Sequence, residues 1–157
     1  MLPIHVTTRE LDPPTMTELL ARHHVGRMAF SLHDRLSIVL VNYVYSGGWI
    51  YARMEAGSEL TTLLHNKWVA FEADEVEGVY DWRTVTVNGS VQFLSDGPHA
   101  GDARDFKTAA KLIQSVVPAA LTAADPMSNR VQLFRVHVDQ LMGTEARSNA
   151  RDSLPSA

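Results

Sequence analysis

The sequence has no cysteine, which excludes a disulfide framework, a thiolate nucleophile and a Cys-ligated metal centre. No apolar run approaches the roughly 20 residues that a membrane helix needs. The opening residues, MLPIHVTTRELDPP, have neither the basic start nor the apolar core of a secretion signal, so a soluble cytoplasmic protein is expected. Positive charge is also scarce. The formal net charge is −4 and there is no basic block, so the attraction to a phosphate backbone that underlies nucleic-acid binding is missing. Seven histidines are present, but without HxxxH or HExxH spacing, and a metal site is not expected. The G-x-S-x-G elbow of a serine hydrolase, the G-x-G-x-x-G dinucleotide fingerprint and the Walker loop are all lacking. No repeat or low-complexity segment divides the chain.

What remains is a chain of 157 residues that is 45% hydrophobic, enough for one core in one domain. Residues 1–146 are expected to form that domain and residues 147–157 a polar tail. Asp12-Pro13-Pro14 ends an extended start and Thr15 opens a helix with Met16, Leu19 and Leu20 on its apolar face. Val25 to Leu32 reads as a strand in which Gly26 permits a close approach to the backbone. His33-Asp34-Arg35 is its turn, and LSIVLVNYV (Leu36 to Val44) is an apolar run of strand length, expected to be central and covered on both faces. A turn at Ser46-Gly47-Gly48 completes a three-strand meander. Further on, Asp74 to Gly78 reads as an acidic loop and Asp81 to Leu94 as a strand with a bulge or bend at Asn88-Gly89. A helix follows, with Phe106, Ala109, Ala110, Ile113 and Val117 at helical spacing as far as Pro118, and Arg130 to Leu141 forms the last strand. About six strands in close succession with two principal helices predict a mainly β fold, an antiparallel barrel with flanking helices.

The stretch from Trp49 to Glu75 carries the one chemical signal. A strand ending in Arg53 runs almost directly into a short helix that starts at Ala56-Gly57-Ser58, with the Ser58 hydroxyl as its cap. A helix start with free N–H groups beside an arginine is suited to hold a phosphate. Ordinary capping with no ligand, and a solvated arginine, account for the same residues. Aromatic and apolar strand residues nearby could line a planar heterocycle, giving a concave, mostly apolar site with a few polar anchors.

Val25-Gly26-Arg27-Met28-Ala29-Phe30, the LSIVLVNYVY strand, Ile50 to Arg53 followed by Ala56-Gly57-Ser58, Leu63 to Val69, and Phe71 to Asp74 followed by Trp82-Arg83-Thr84-Val85 and Gly89 together resemble the pyridoxamine 5'-phosphate oxidase-like superfamily. More narrowly, they are similar to its flavin-nucleotide-binding, nitroimidazole-resistance-type branch. The likeness covers residues 16–94, with Phe134 to Gly143 similar to the closing strand, and it rests on the order and spacing of the motifs. The resemblance implies an antiparallel split β-barrel, a homodimer and FMN in a groove at the dimer interface. It places Asn42 and Tyr43 beside the flavin ring, Tyr51, Ala52 and Arg53 along the ribityl chain and Ser58 and Glu59 at the phosphate. Trp82 and Thr84 close the phosphate end, Thr84 standing for the usual serine. Glu59 replaces a phosphate-binding lysine of the family, so the resemblance implies weakened FMN binding, with Lys67 and Arg83 as further cations within reach. The expected function is an FMN-dependent oxidoreductase acting on a small organic substrate, its catalytic residues unassigned. A deazaflavin-dependent reductase, a non-catalytic flavin or haem binder and a cofactor-free dimeric protein stay open as alternatives.

Overall fold

The computed structural model describes residues 2–98 and 100–150, with the backbone alone at residues 58, 59 and 100. In chain order the elements are β1 (Val6–Glu10), α1 (Pro13–Arg22), β2 (Val25–Leu32), β3 (Arg35–Ser46), β4 (Trp49–Met54), α2 (Ser58–His65), β5 (Trp68–Gly78), β6 (Asp81–Leu94), α3 (Ala100–Val116) and β7 (Gln132–Ser148). The strands form one antiparallel sheet in the order β1-β7-β4-β3-β2-β5-β6, and β6 pairs with β7 as well, which closes six of the strands into a ring. One edge of β7 is divided between two neighbours. Its first part, Gln132 to His137, pairs with β4, and its last part, Thr144 to Ser148, pairs with β1. This is an antiparallel split barrel with helices around it.

The interior follows from strand alternation, which sends every second side chain inward. Met28 and Phe30 of β2, Val41 and Tyr43 of β3, Ile50, Ala52 and Met54 of β4, and Phe71 of β5 belong to the main core. α1 packs on β3, β5, β6 and β7 and adds Met16, Leu19 and Leu20 to that core. Tyr43 donates its hydroxyl to the Leu20 carbonyl at 2.8 Å, and burial raises its pKa above the ordinary phenol value. A second, smaller cluster lies outside the barrel wall, where α3 covers β4 through Ala109, Ile113, Tyr51, Leu94 and Leu133.

Two glycines are fixed by crowding. A Cβ on Gly26 would lie 2.3 Å from Cζ of Phe71, the close approach expected there, and one on Gly89 would lie 1.9 Å from the His137 carbonyl oxygen. The pairing of β6 with β7 shifts register at Asn88-Gly89, so the expected irregularity is a bulge within one continuous strand.

Several expected boundaries are corrected. α1 starts at Pro13, because Asp12 caps it by accepting from the Thr15 N–H at 2.9 Å and proline suits the first helical turn, where its missing N–H is not needed. The cap of α2 is Gly57, with no side-chain cap bond, and Ser58 is its first helical residue. The acidic stretch from Asp74 to Gly78 belongs to β5, held by pairing with β6 and by arginines from neighbouring elements, Arg22 on Glu75 and Arg27 on Asp74. β7 continues past Gly143 to Ser148, beyond the expected domain end at 146, because β1 and β6 supply partners for its backbone. Residues 151–157 of the expected tail lie outside the described residues. The sheet thus has seven strands rather than six, and the described residues contain three helices. β3 is central but not covered on both faces. Its outward residues Leu36, Ile38 and Leu40 are 84%, 72% and 58% exposed.

Candidate functional site

β4 is buried on both sides, and its two faces lead to different places. Ala52 faces the barrel interior, whereas Tyr51 lies under α3 and Arg53 lies beneath the segment that links α3 to β7. That segment, residues 117–131, has no long helix or strand of its own, yet it carries a carboxylate back to β4. Asp125 forms a two-pronged pair with Arg53, Oδ1 accepting from Nη2 at 3.0 Å and Oδ2 accepting from Nη1. The same carboxylate accepts the backbone N–H groups of Leu121 at 2.8 Å and Met127 at 2.9 Å. Hydrogen bonding from Arg53 is the main reason that the Asp125 carboxyl sits well below the usual carboxylate range. Arg53 is therefore not the unpaired strand-end cation that its position suggested. Its charge is matched by a carboxylate 72 residues away.

A cleft of about 540 Å³ opens where β4 leaves for α2, a size within the usual range for small-molecule sites. Its floor is apolar, made by Met28, Val39, Val41 and Phe134, and Ala56 and Gly57 at the start of α2 form one rim. Arg53, Glu55 and Arg130 supply its charged lining. Glu55 accepts from the Asn129 amide. Arg130 is the residue that the sequence did not single out. It has no ion pair among the described residues, and its Nη1 donates one long bond, 3.5 Å, to Oδ1 of Asn42. The carbonyl of Arg130 accepts from Arg53 at 3.5 Å, which ties its backbone to β4. Arg53 and Arg130 also border a second, apolar cavity of about 110 Å³ that lies against Asn42, Tyr43 and Ile113. A solitary arginine seventy-seven residues from Arg53 along the chain leaves no local pattern, so nothing in the sequence could have marked it.

The other expected site residues divide. Asn42 is exposed, accepts from Arg130 and borders the smaller cavity together with Arg53. Tyr43 is a core residue, its ring 4.8 Å from that of Phe71 in an edge contact. Tyr51 and Ala52 are buried in packing. The Ser58 and Glu59 side chains lie outside the described residues. Trp82 and Thr84 stand elsewhere in the same chain: Trp82 pairs with Ala146 and Thr84 with Thr144, and Trp82 borders a separate cavity of about 310 Å³ with Arg22, Arg83 and Glu145. Arg83 is not a spare cation, since its Nε donates to buried Glu145 at 2.5 Å alongside Arg9 and Arg147. Burial pushes Glu145 up, but the three arginines outweigh it and bring its pKa to about 2. Lys67 lies over the Trp68 ring, 5.3 Å from its centroid. Among the described residues no group of acidic, histidine or cysteine side chains could hold a metal, and no helix is long and apolar enough to cross a membrane.

Solved structures share this architecture. The chain is similar to a FAD-binding protein from Mesorhizobium loti, at 24% identity over 91% of this chain and 99% of that one, with a TM-score of 0.72. It is similar to a candidate 5-nitroimidazole antibiotic resistance protein from Bacteroides thetaiotaomicron, at 16% identity over 94% of each chain and a TM-score of 0.70. A FAD and heme binding protein from Mycobacterium smegmatis matches at 14% identity over 87% of this chain and 72% of its own, with a TM-score of 0.63. No curated protein matches the chain. At these identities the likeness establishes the fold, and the sequence itself supplies the rest: the family model described as pyridoxamine 5'-phosphate oxidase matches residues 12–145, from the cap of α1 almost to the end of β7, and the chain belongs to that family.

Proposed function

We propose that the protein binds a flavin nucleotide, FMN, in the cleft beside the start of α2 and acts as an oxidoreductase on a small organic substrate. The observation that carries this reading is the cleft itself, in a chain of this family. It pairs an apolar floor of Met28, Val39, Val41 and Phe134, suited to a planar heterocycle, with a rim of opposite character. At that rim Gly57 caps α2 without a side-chain bond and a Cβ there would meet open space, so the first N–H groups of the helix get no acceptor from their cap residue. A bound flavin supplies the redox chemistry. The chain's part is to bind it, orient it and keep water from one face. FAD, the ligand of two similar proteins by their descriptions, and a haem or deazaflavin are the competing occupants.

A homodimer belongs to the same proposal. Leu40 contributes both to the cleft and to the exposed outer face of β3, so a second copy seated on that face would wall the cleft.

The visible spectrum of the purified protein and a titration with FMN at fixed salt test this reading. Flavin bands and saturable FMN binding are expected, whereas a Soret band or a colourless protein indifferent to FMN would sink it. Because Glu59 stands where a lysine is usual in the family, Glu59→Lys is expected to tighten FMN binding at least tenfold, the lower end of what a charge-assisted phosphate bond contributes. Unchanged affinity would mean that Glu59 points away from the phosphate.

A further inference from the structure

We infer that Arg130, and not Arg53, is the residue that takes the phosphate monoester of the flavin in the cleft. This rests on the flavin reading above and assigns a part of it to a side chain outside the motifs of the family resemblance. The two arginines border the same cleft, but their electrostatic positions are opposite. Arg53 is 8% exposed and faces both oxygens of Asp125, which are themselves saturated by two backbone N–H groups. An arginine with its charge cancelled and its fork filled has little to offer an incoming anion. Arg130 has five N–H donors to place, and among the described residues one long bond, to a neutral amide, draws on them.

Its position is nonetheless fixed. The pair of Arg53 with Asp125 anchors the segment that leads into β7, and the Arg53 guanidinium also holds the Arg130 carbonyl at 3.5 Å. Arg53 is thus a positioning residue: it presents the Arg130 cation at the rim instead of serving as that cation. Ala56 and Gly57 line the same cleft, so the positive end of α2 and Arg130 border one space. Two positive features lining a cleft with an apolar floor suit a ligand with an anionic end and a flat apolar end. The one carboxylate described in the lining, Glu55, is engaged by Asn129.

Comparing FMN with riboflavin, which has the same ring system and no phosphate, isolates the contact. Dissociation constants for both, at fixed ionic strength, are measured by flavin fluorescence on the wild type, Arg130→Gln and Arg53→Gln. Arg130→Gln is expected to weaken FMN roughly ten- to a hundredfold, the loss of one charge-assisted bond, and to leave riboflavin within about twofold. Equal losses for both ligands, or none, would overturn the assignment, because Arg130 would then be acting on the ring or on nothing. Selective loss of FMN in Arg53→Gln, with riboflavin retained and Arg130→Gln unaffected, would return the role to Arg53. Should the wild type bind neither flavin, the flavin reading falls, and inorganic pyrophosphate decides the anion site separately. A rise in the wild-type melting temperature that Arg130→Gln abolishes would support an anion at Arg130, and no rise would overturn it.

Discussion

At the scale of single residues, Glu72 is the group most displaced toward neutral pH. It lies on the outer side of β5, opposite Arg27 of β2 and Thr86 of β6, with Asp74 two residues on. Burial first, and then the adjacent Asp74 carboxylate, raise its pKa to about 7, with Arg27 opposing. The folded-state value stands above the ordinary 4.5. The contribution of the protonated carboxyl is therefore complete below about pH 4.5 and is lost as pH rises through about 7. Glu72→Gln removes that titration. Its melting temperature, followed by calorimetry, should fall less between pH 5 and pH 8 than that of the wild type, and parallel curves would show that Glu72 ionises without cost. At this scale the sequence disclosed residue types and not their partners. Arg53 was legible as a cation at a strand end, but Asp125 reaches it from a turn that had no pattern to read. The same turn delivers Arg130.

At the scale of elements, the periodicities that could be read were those maintained by local chemistry. The helix faces of α1 and α3 and the meander of β2, β3 and β4 follow from apolar spacing and turn residues. What stayed hidden were strand extensions stabilised across the sheet. An acidic run such as Asp74 to Glu77 resembles a loop until the arginines facing it are known. The region after Gly143 is a strand because the N-terminal residues return to it on one side and β6 pairs with it on the other. β3 misled in the other direction, since an uninterrupted apolar run has no alternation to betray a face left open. The bulge in β6 was legible because Asn-Gly breaks a period-2 pattern. Gly89→Ala tests how tightly it is held. With the His137 carbonyl in the way, the backbone must shift, and a loss of about 1–3 kcal/mol is expected from denaturant titration, the usual cost of overpacking. A neutral result would show that the bulge relaxes freely.

At the scale of the whole molecule, the open side of β3 dominates. Leu36, Ile38 and Leu40 form a row of large aliphatic side chains on one strand face, and covering such a side chain fully contributes about 1.5–3 kcal/mol. Obligate homodimers bury on the order of 2,000 Å² or more, and this row is the natural centre for the proposed one. Ile38→Glu, which lines no described cavity, should convert the dimer to monomers in sedimentation equilibrium and weaken FMN binding in the same step, because the cleft would lose its second wall. A wild-type protein that is monomeric at micromolar concentration would remove the dimer and the two-chain groove together.

The divided edge of β7 has a further consequence, for the order in which the barrel can be assembled. Val6 pairs with Ser148, and β6 and β4 each wait for the same last strand. During synthesis β2 to β6 can therefore pair only as an open sheet of five strands, and the N-terminal strand has no neighbour until residues 144–148 have been made. Closure joins the most distant parts of the chain, the kind of contact that slows folding of small β-rich domains to roughly milliseconds to seconds. The final strand thus works as a check on completeness, since a nascent chain that stops before it keeps an open ring and an unpartnered N-terminal strand.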